Sequence, residues 1–201
     1  IRVSHKIYQG LLDSVLENKG DLLLLGSGEI KPRGKLAGRV LDPVLQEVPC
    51  DIGIMKVSDT GRIKKVILPT AGGPNARLAF EWASCIVKQN KGQLVLLYII
   101  RTETERKTAE HQLSETKKGV QYEPERVKDK IVLGKNIVKT IIKESEGFDL
   151  IVIGTSRESL WKRIRFGTIP EKILRSSDVP VLVVKKYEGV ILSWLRRFIA
   201  G

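Results

Sequence analysis

A chain of 201 residues with 42% hydrophobic residues can fill one large core or two small ones. Its longest apolar runs, residues 94–100 and 179–184, fall far short of the roughly 20 residues that span a bilayer, which excludes a transmembrane helix within this sequence. Two cysteines in unrelated contexts, Cys50 and Cys85, exclude a disulfide framework and fit a reducing, cytoplasmic setting, while a net charge of +12 favours anionic partners.

In chain order, no signal peptide opens the sequence, and Ile1 is not an initiator methionine, so a longer parent polypeptide is expected. Residues 4–19 carry Ile7, Leu11, Val15 and Leu16 at helical spacing, with Ser4 as cap and Gly20 as stop. A buried strand is expected over residues 21–26. A Gly/Pro/Lys/Arg loop (27–35), a short helix (40–46) and a strand (51–57) complete the first segment.

The second segment is longer. Residues 64–69 read as a strand, and residues 74–90 as a helix with Leu78, Trp82, Ala83, Ile86 and Val87 turned inward and Cys85 packed beside them. A strand over 93–100, a charged, partly helical and partly mobile stretch over 102–125, and a strand over 127–133 follow. A helix then carries Ile137, Val138, Ile141 and Ile142 to a stop at Gly147. The apolar run Leu150-Ile151-Val152-Ile153 is a strand buried on both faces. Thr168 opens the next helix, with Pro170 in its first turn and Glu171 placed for a capping box, before a last strand ending at Lys185.

The order repeats. Asp21 and Asp149 are 128 residues apart, as are Gly26 and Gly154, each pair bracketing an apolar strand. The chain therefore divides into a partial copy (1–60), a complete copy (61–187) and a basic amphipathic tail (188–201). Alternating strands and helices predict an α/β fold, an open parallel five-stranded sheet with helices on both faces. With strand order 3-2-1-4-5, the partial copy lacks the strand that belongs beside residues 22–25. Exposed edges are a liability, so the last strands of the two copies are expected to pair with each other.

The stretch 154–168 is a basic loop between the carboxyl end of a buried strand and the amino end of a helix. Ligands bind there in open α/β sheets, and such helix ends suit phosphate. Gly154, Arg157, nine intervening residues and Gly167-Thr168 follow one another, then Ile169-Pro170-Glu171. This spacing resembles the universal stress protein family, in the wider adenine nucleotide alpha hydrolase-like class, whose nucleotide-binding members carry Gly-x-x-Gly-nine residues-Gly-Ser/Thr. The turn Pro69-Thr70-Ala71-Gly72-Gly73 matches the family's first turn, with Ala71 where an adenine-contacting acid would stand. Arg157 replaces the second glycine.

The resemblance implies ATP or another adenine nucleotide as ligand, held by Pro69, Thr70, Ala71, Gly72, Gly73, Gly154, Arg157, Gly167, Thr168 and Ile169. The first copy is a weaker match, with Gly26-Ser27-Gly28-Glu29 and then Gly38-Arg39. In the second copy, the turn over residues 69–75 and the loop over residues 156–171 are similar to the subgroup that forms the C-terminal cytoplasmic part of amino-acid permeases and related transporters. A regulatory domain tethered to the inner face of the cell membrane follows from that; a freestanding tandem ATP-binding protein is the alternative.

No catalytic set is legible: Ser156 and Ser159 have no histidine placed to activate them, and His5 and His111 stand apart without metal-ligand spacing. Nucleic acid is not an expected partner, for want of stacking aromatics or a recognition helix. In the tail, Ile191, Trp194, Leu195 and Phe198 form an apolar stripe beside Arg196 and Arg197. Such a helix suits an anionic lipid surface, the membrane part of a parent transporter, or the protein's own core.

Overall fold

Apolar runs separated by amphipathic helices set the element order in the computed structural model, which describes residues 7–27, 44, 47–56, 61–155, 168–187 and 189. The first segment contributes α1 (Ile7–Glu17), β1 (Leu22–Gly26) and β2 (Asp51–Lys56). The second contributes β3 (Lys65–Thr70), α2 (Pro74–Asn90), β4 (Gln93–Ile100), α3 (Arg106–Lys117), β5 (Val127–Leu133), α4 (Ile137–Glu144), β6 (Leu150–Gly154), α5 (Thr168–Ser176) and β7 (Val181–Lys185).

All the strands join one seven-stranded sheet in the order β1-β2-β7-β6-β3-β4-β5. The expected count of five therefore gives way to seven, because β2 pairs antiparallel with β7 from Ile52↔Lys185 to Lys56↔Val181 and fuses the two segments. Every other pairing is parallel. The expected pairing of the two last strands thus occurs within the chain. From β5 to β7 the strands run in the expected 3-2-1-4-5 order.

Helices cover both faces. On one side α1, α4 and α5 pack with Ile52, Ile54, Ile67, Ile151 and Val183; on the other, α2 and α3 pack with Leu68, Leu96, Leu150 and Val152. The residues of β6 alternate between these two cores, so Leu150 to Ile153 are all buried. That is why the strand reads as an unbroken apolar run. Local chemistry sets the ends: the Asn136 side chain accepts the Lys139 N–H at 3.1 Å to cap α4, and Lys91 leaves α2 in a left-handed conformation (φ 52°).

Several expectations are corrected. Cys85 is exposed: the buried positions of α2 are Ala76, Leu78, Ala79, Phe80, Ala83, Ser84 and Val87, and the cover that buries Leu78 does not extend two turns on to Cys85. Residues 103–117, in the stretch expected to be partly helical and partly mobile, form a 3-10 turn and α3, whose Ala109, Leu113 and Thr116 close the core over β4. β1 is not buried: it lies at the sheet margin, with Leu22 and Leu24 exposed. On α1, Ile7 and Leu16 are exposed as well, and only Val15 is buried.

Candidate functional site

Neighbouring strands part at the centre of the sheet. β3 and β6 pair only at Val66↔Leu150 and Ile67↔Ile151, near their amino ends. The Asp149 carboxylate pins that end by accepting the N–H groups of Lys64 and Lys65 at 2.8 and 2.7 Å. Toward the carboxyl ends the strands diverge, and the chain direction of successive connections reverses between them. This is the topological switch point at which open α/β sheets bind ligands.

The turn after β3 lines one wall. Thr70 ends the strand, and its hydroxyl accepts the Gly72 N–H at 3.0 Å. Gly72 (φ 82°) and Gly73 (φ 94°) hold left-handed backbone, so the Gly-Gly pair is a conformational requirement of the turn. A side chain on Gly72 would also run into the Gln112 amide of α3, a residue that sequence reasoning missed. Pro69 is buried in β3, and Ala71 is exposed at the mouth.

Gly73 leads into α2 with no side-chain cap and no acid in the first turn. The first intrahelical bond runs from Arg77 N–H to Gly73 at 3.1 Å, so the amides of Asn75 and Ala76 precede the ladder. The opposite wall is β6. A Cβ on Gly154 would stand 2.6 Å from the Asn75 carbonyl oxygen, so this glycine admits the first turn of α2.

Asn75, also missed from sequence, fastens three elements. Its amide nitrogen donates to the Thr155 carbonyl at 3.0 Å, and its amide oxygen accepts the Lys186 N–H at 2.8 Å. No sequence signal beyond its place after Gly-Gly-Pro marks it. On β4, Tyr98 lies opposite Thr70; burial first, and then the Glu105 carboxylate, push its phenol above the usual value.

The structure thus brings Pro69, Thr70, Ala71, Gly72, Gly73 and Gly154 to one end of the sheet. Thr168 begins α5 and Ile169 is half-buried near its start. Arg157 and Gly167 lie outside the described residues, as do Ser156, Ser159, His5 and the tail residues Ile191, Trp194, Leu195, Arg196, Arg197 and Phe198. Among the described residues no cluster of His, Cys, Asp or Glu could hold a metal ion, and no helix is long and apolar enough to cross a membrane.

Fold and crevice together define a class: open α/β proteins that present a glycine turn and an uncapped helix start at the switch point. The pattern of the universal stress protein family matches residues 62–185, and the chain belongs to that family.

Relatives differ in what they cover. A universal stress protein of Methanocaldococcus jannaschii is 37% identical over 81 residues, which are 39% of this chain and 49% of that protein. A Na(+)/H(+) antiporter of Synechocystis is 20% identical over 186 residues, 87% of this chain and 26% of the antiporter. The chain thus spans about half the length of the first and a quarter of the second. A universal stress protein structure from Archaeoglobus fulgidus superposes with a TM-score of 0.61 at 22% identity, covering 90% of this chain and 66% of that one. At that identity the likeness concerns the fold.

Proposed function

We propose that the chain is a regulatory universal stress protein module of a membrane transporter, built as a partial and a complete copy in tandem, and that it senses an adenine nucleotide at the β3–β6 crevice. The observation that carries the transporter link is the antiporter match, which runs through both segments of the chain and takes up a quarter of the antiporter. The amino-acid permease resemblance of the two loops points to the same class of parent. In that setting the module lies on the cytoplasmic side, tethered by the transporter.

The nucleotide reading rests on the crevice itself. Backbone N–H groups of Gly73, Asn75 and Ala76 gather at an uncapped helix start, where the helix dipole favours a phosphate. Ala71 offers no carboxylate to the base, and Gly154 is already occupied by the α2 backbone, so binding is weak. A Kd of about 0.1–1 mM, roughly 4–5.5 kcal/mol, is expected for ATP or AMP.

Calorimetry on the chain, with Gly73→Val as the blocked control, tests the site. Micromolar binding that survives Gly73→Val would move it elsewhere. Flux through the parent transporter, with and without the nucleotide, tests the regulatory role. A parent reading frame with no membrane-spanning segments would instead support the freestanding tandem protein.

A further inference from the structure

We propose that the rim of the sheet at the starts of β3 and β4 is a docking surface for the anionic headgroups of a lipid bilayer. Five exposed cations stand there: Arg62, Lys64 and Lys65 lead into β3, and Lys88 and Lys91 close α2. Among the described residues none of the five side chains has an ion pair or a hydrogen bond. Cations nearby are matched, as in Lys117–Asp129, Lys118–Glu115, Arg126–Glu123 and Lys130–Glu144.

The backbone gathers the five. The Gln93 N–H donates to the Lys64 carbonyl at 2.7 Å, and Lys65 lies opposite Gln93 in the register of β3 and β4. Gly92 packs so closely that a Cβ on it would stand 2.2 Å from the Lys64 carbonyl oxygen, which holds Lys91 beside the start of β3. Lys91 has a left-handed backbone (φ 52°) that glycine or asparagine adopts at less cost, so local conformation does not select a lysine there. The acids at this end are Glu125, Glu146 and Asp149. The Asp149 carboxylate accepts the backbone N–H groups of Lys64 and Lys65, which stiffens the strand start and leaves both ammonium groups unpaired.

Charge and surroundings select the partner. Clustered lysines and arginines are drawn to the negative plane of an anionic leaflet. A nucleic-acid strand would call for stacking rings as well, and Tyr122, which precedes β5 at this end, is already engaged by Phe80 edge-on at 5.1 Å. The choice of lipid over another polyanion rests on the transporter reading, which sets a bilayer beside the module; the charge of the rim does not. With this rim on the bilayer, the β3–β6 crevice at the other ends of the strands faces away from the lipid.

Co-sedimentation of the 201-residue chain with vesicles tests the rim. Binding to phosphatidylserine–phosphatidylcholine vesicles, and not to phosphatidylcholine alone, is expected, and should fall as salt is raised. The variant Lys64→Gln/Lys88→Gln/Lys91→Asn should weaken it on the order of 100-fold, about fivefold for each charge. The variant Lys107→Gln/Lys135→Gln/Lys139→Gln takes the same charge from exposed positions at the opposite rim and should change it less than about threefold. No binding to the anionic vesicles, equal losses in the two variants, or no loss in the first would overturn the proposal. So would displacement by inorganic phosphate, which marks a discrete anion site, or tighter binding of duplex DNA through the same three lysines, which assigns the rim to nucleic acid. Failure on vesicles leaves the transporter reading standing, since flux measures that separately.

Discussion

Asn75 and Gly154 set how tightly the crevice closes. Asn75→Ala removes two hydrogen bonds and leaves the Lys186 N–H without its side-chain acceptor, at a cost of about 1–3 kcal/mol. Gly154→Ala forces α2 outward against its own carbonyl, costing a similar amount, about 1–3 kcal/mol. Gly26→Ala, with open space around it, should stay within about 0.5 kcal/mol. Urea denaturation of the three variants ranks them, and an equal loss at Gly26 and Gly154 would refute the packing account. The contacts behind this ranking were not legible in the sequence: Asn75 meets partners 80 and 111 residues away. Glycine spacing alone points Gly154 at a phosphate rather than at a helix.

Tyr98 gives a prediction in pH. Its folded-state value is raised, by burial and by Glu105, above the unfolded value of about 10. The stability it contributes is therefore whole below about pH 10 and is lost as pH rises through the raised value. Tyr98→Phe should flatten that alkaline fall, and ultraviolet titration of the wild-type protein should show one phenol ionising late. If Tyr98→Phe leaves the alkaline limb unchanged, the fall belongs to another group.

Among the elements, those covered on one face by the complete segment were the most readable. The bounds of α2 and β4 match the periodicity residue for residue, since a helical stripe and a buried run are local signals. Positions one step off a stripe were not readable. Cys85 sits beside Ser84, and only packing against the sheet decides which of the two turns in. A thiol reagent should therefore modify Cys85 promptly in the native protein and spare buried Cys50, whose thiol burial pushes up before the nearby Asp51 charge adds to it. Prompt loss of both thiols would contradict this packing. β1 misled for a related reason: four leucines in a row state that a strand wants cover, and not whether it has any.

At the scale of the whole molecule, five residue pairs between β2 and β7 turn two segments into one sheet. Residues 61–187 made without the first segment would bare the β7 edge, where Val181 to Val184 are all buried in the intact chain. That fragment should dimerise through β7, visible in sedimentation, while the full chain keeps this edge satisfied. A fragment that stays monomeric at high concentration would show that the seam is dispensable.

The same seam fixes which way each half faces. Because β2 and β7 are antiparallel while their inner neighbours are parallel to them, β1 runs out at Gly26 on one rim of the sheet and β6 at Gly154 on the opposite rim. Any small molecule held by one half is therefore out of reach of the other, and no single ligand can bridge them. The five pairs of the seam are the backbone link through which the two halves share one sheet, and the carboxyl ends of their strands open in opposite directions.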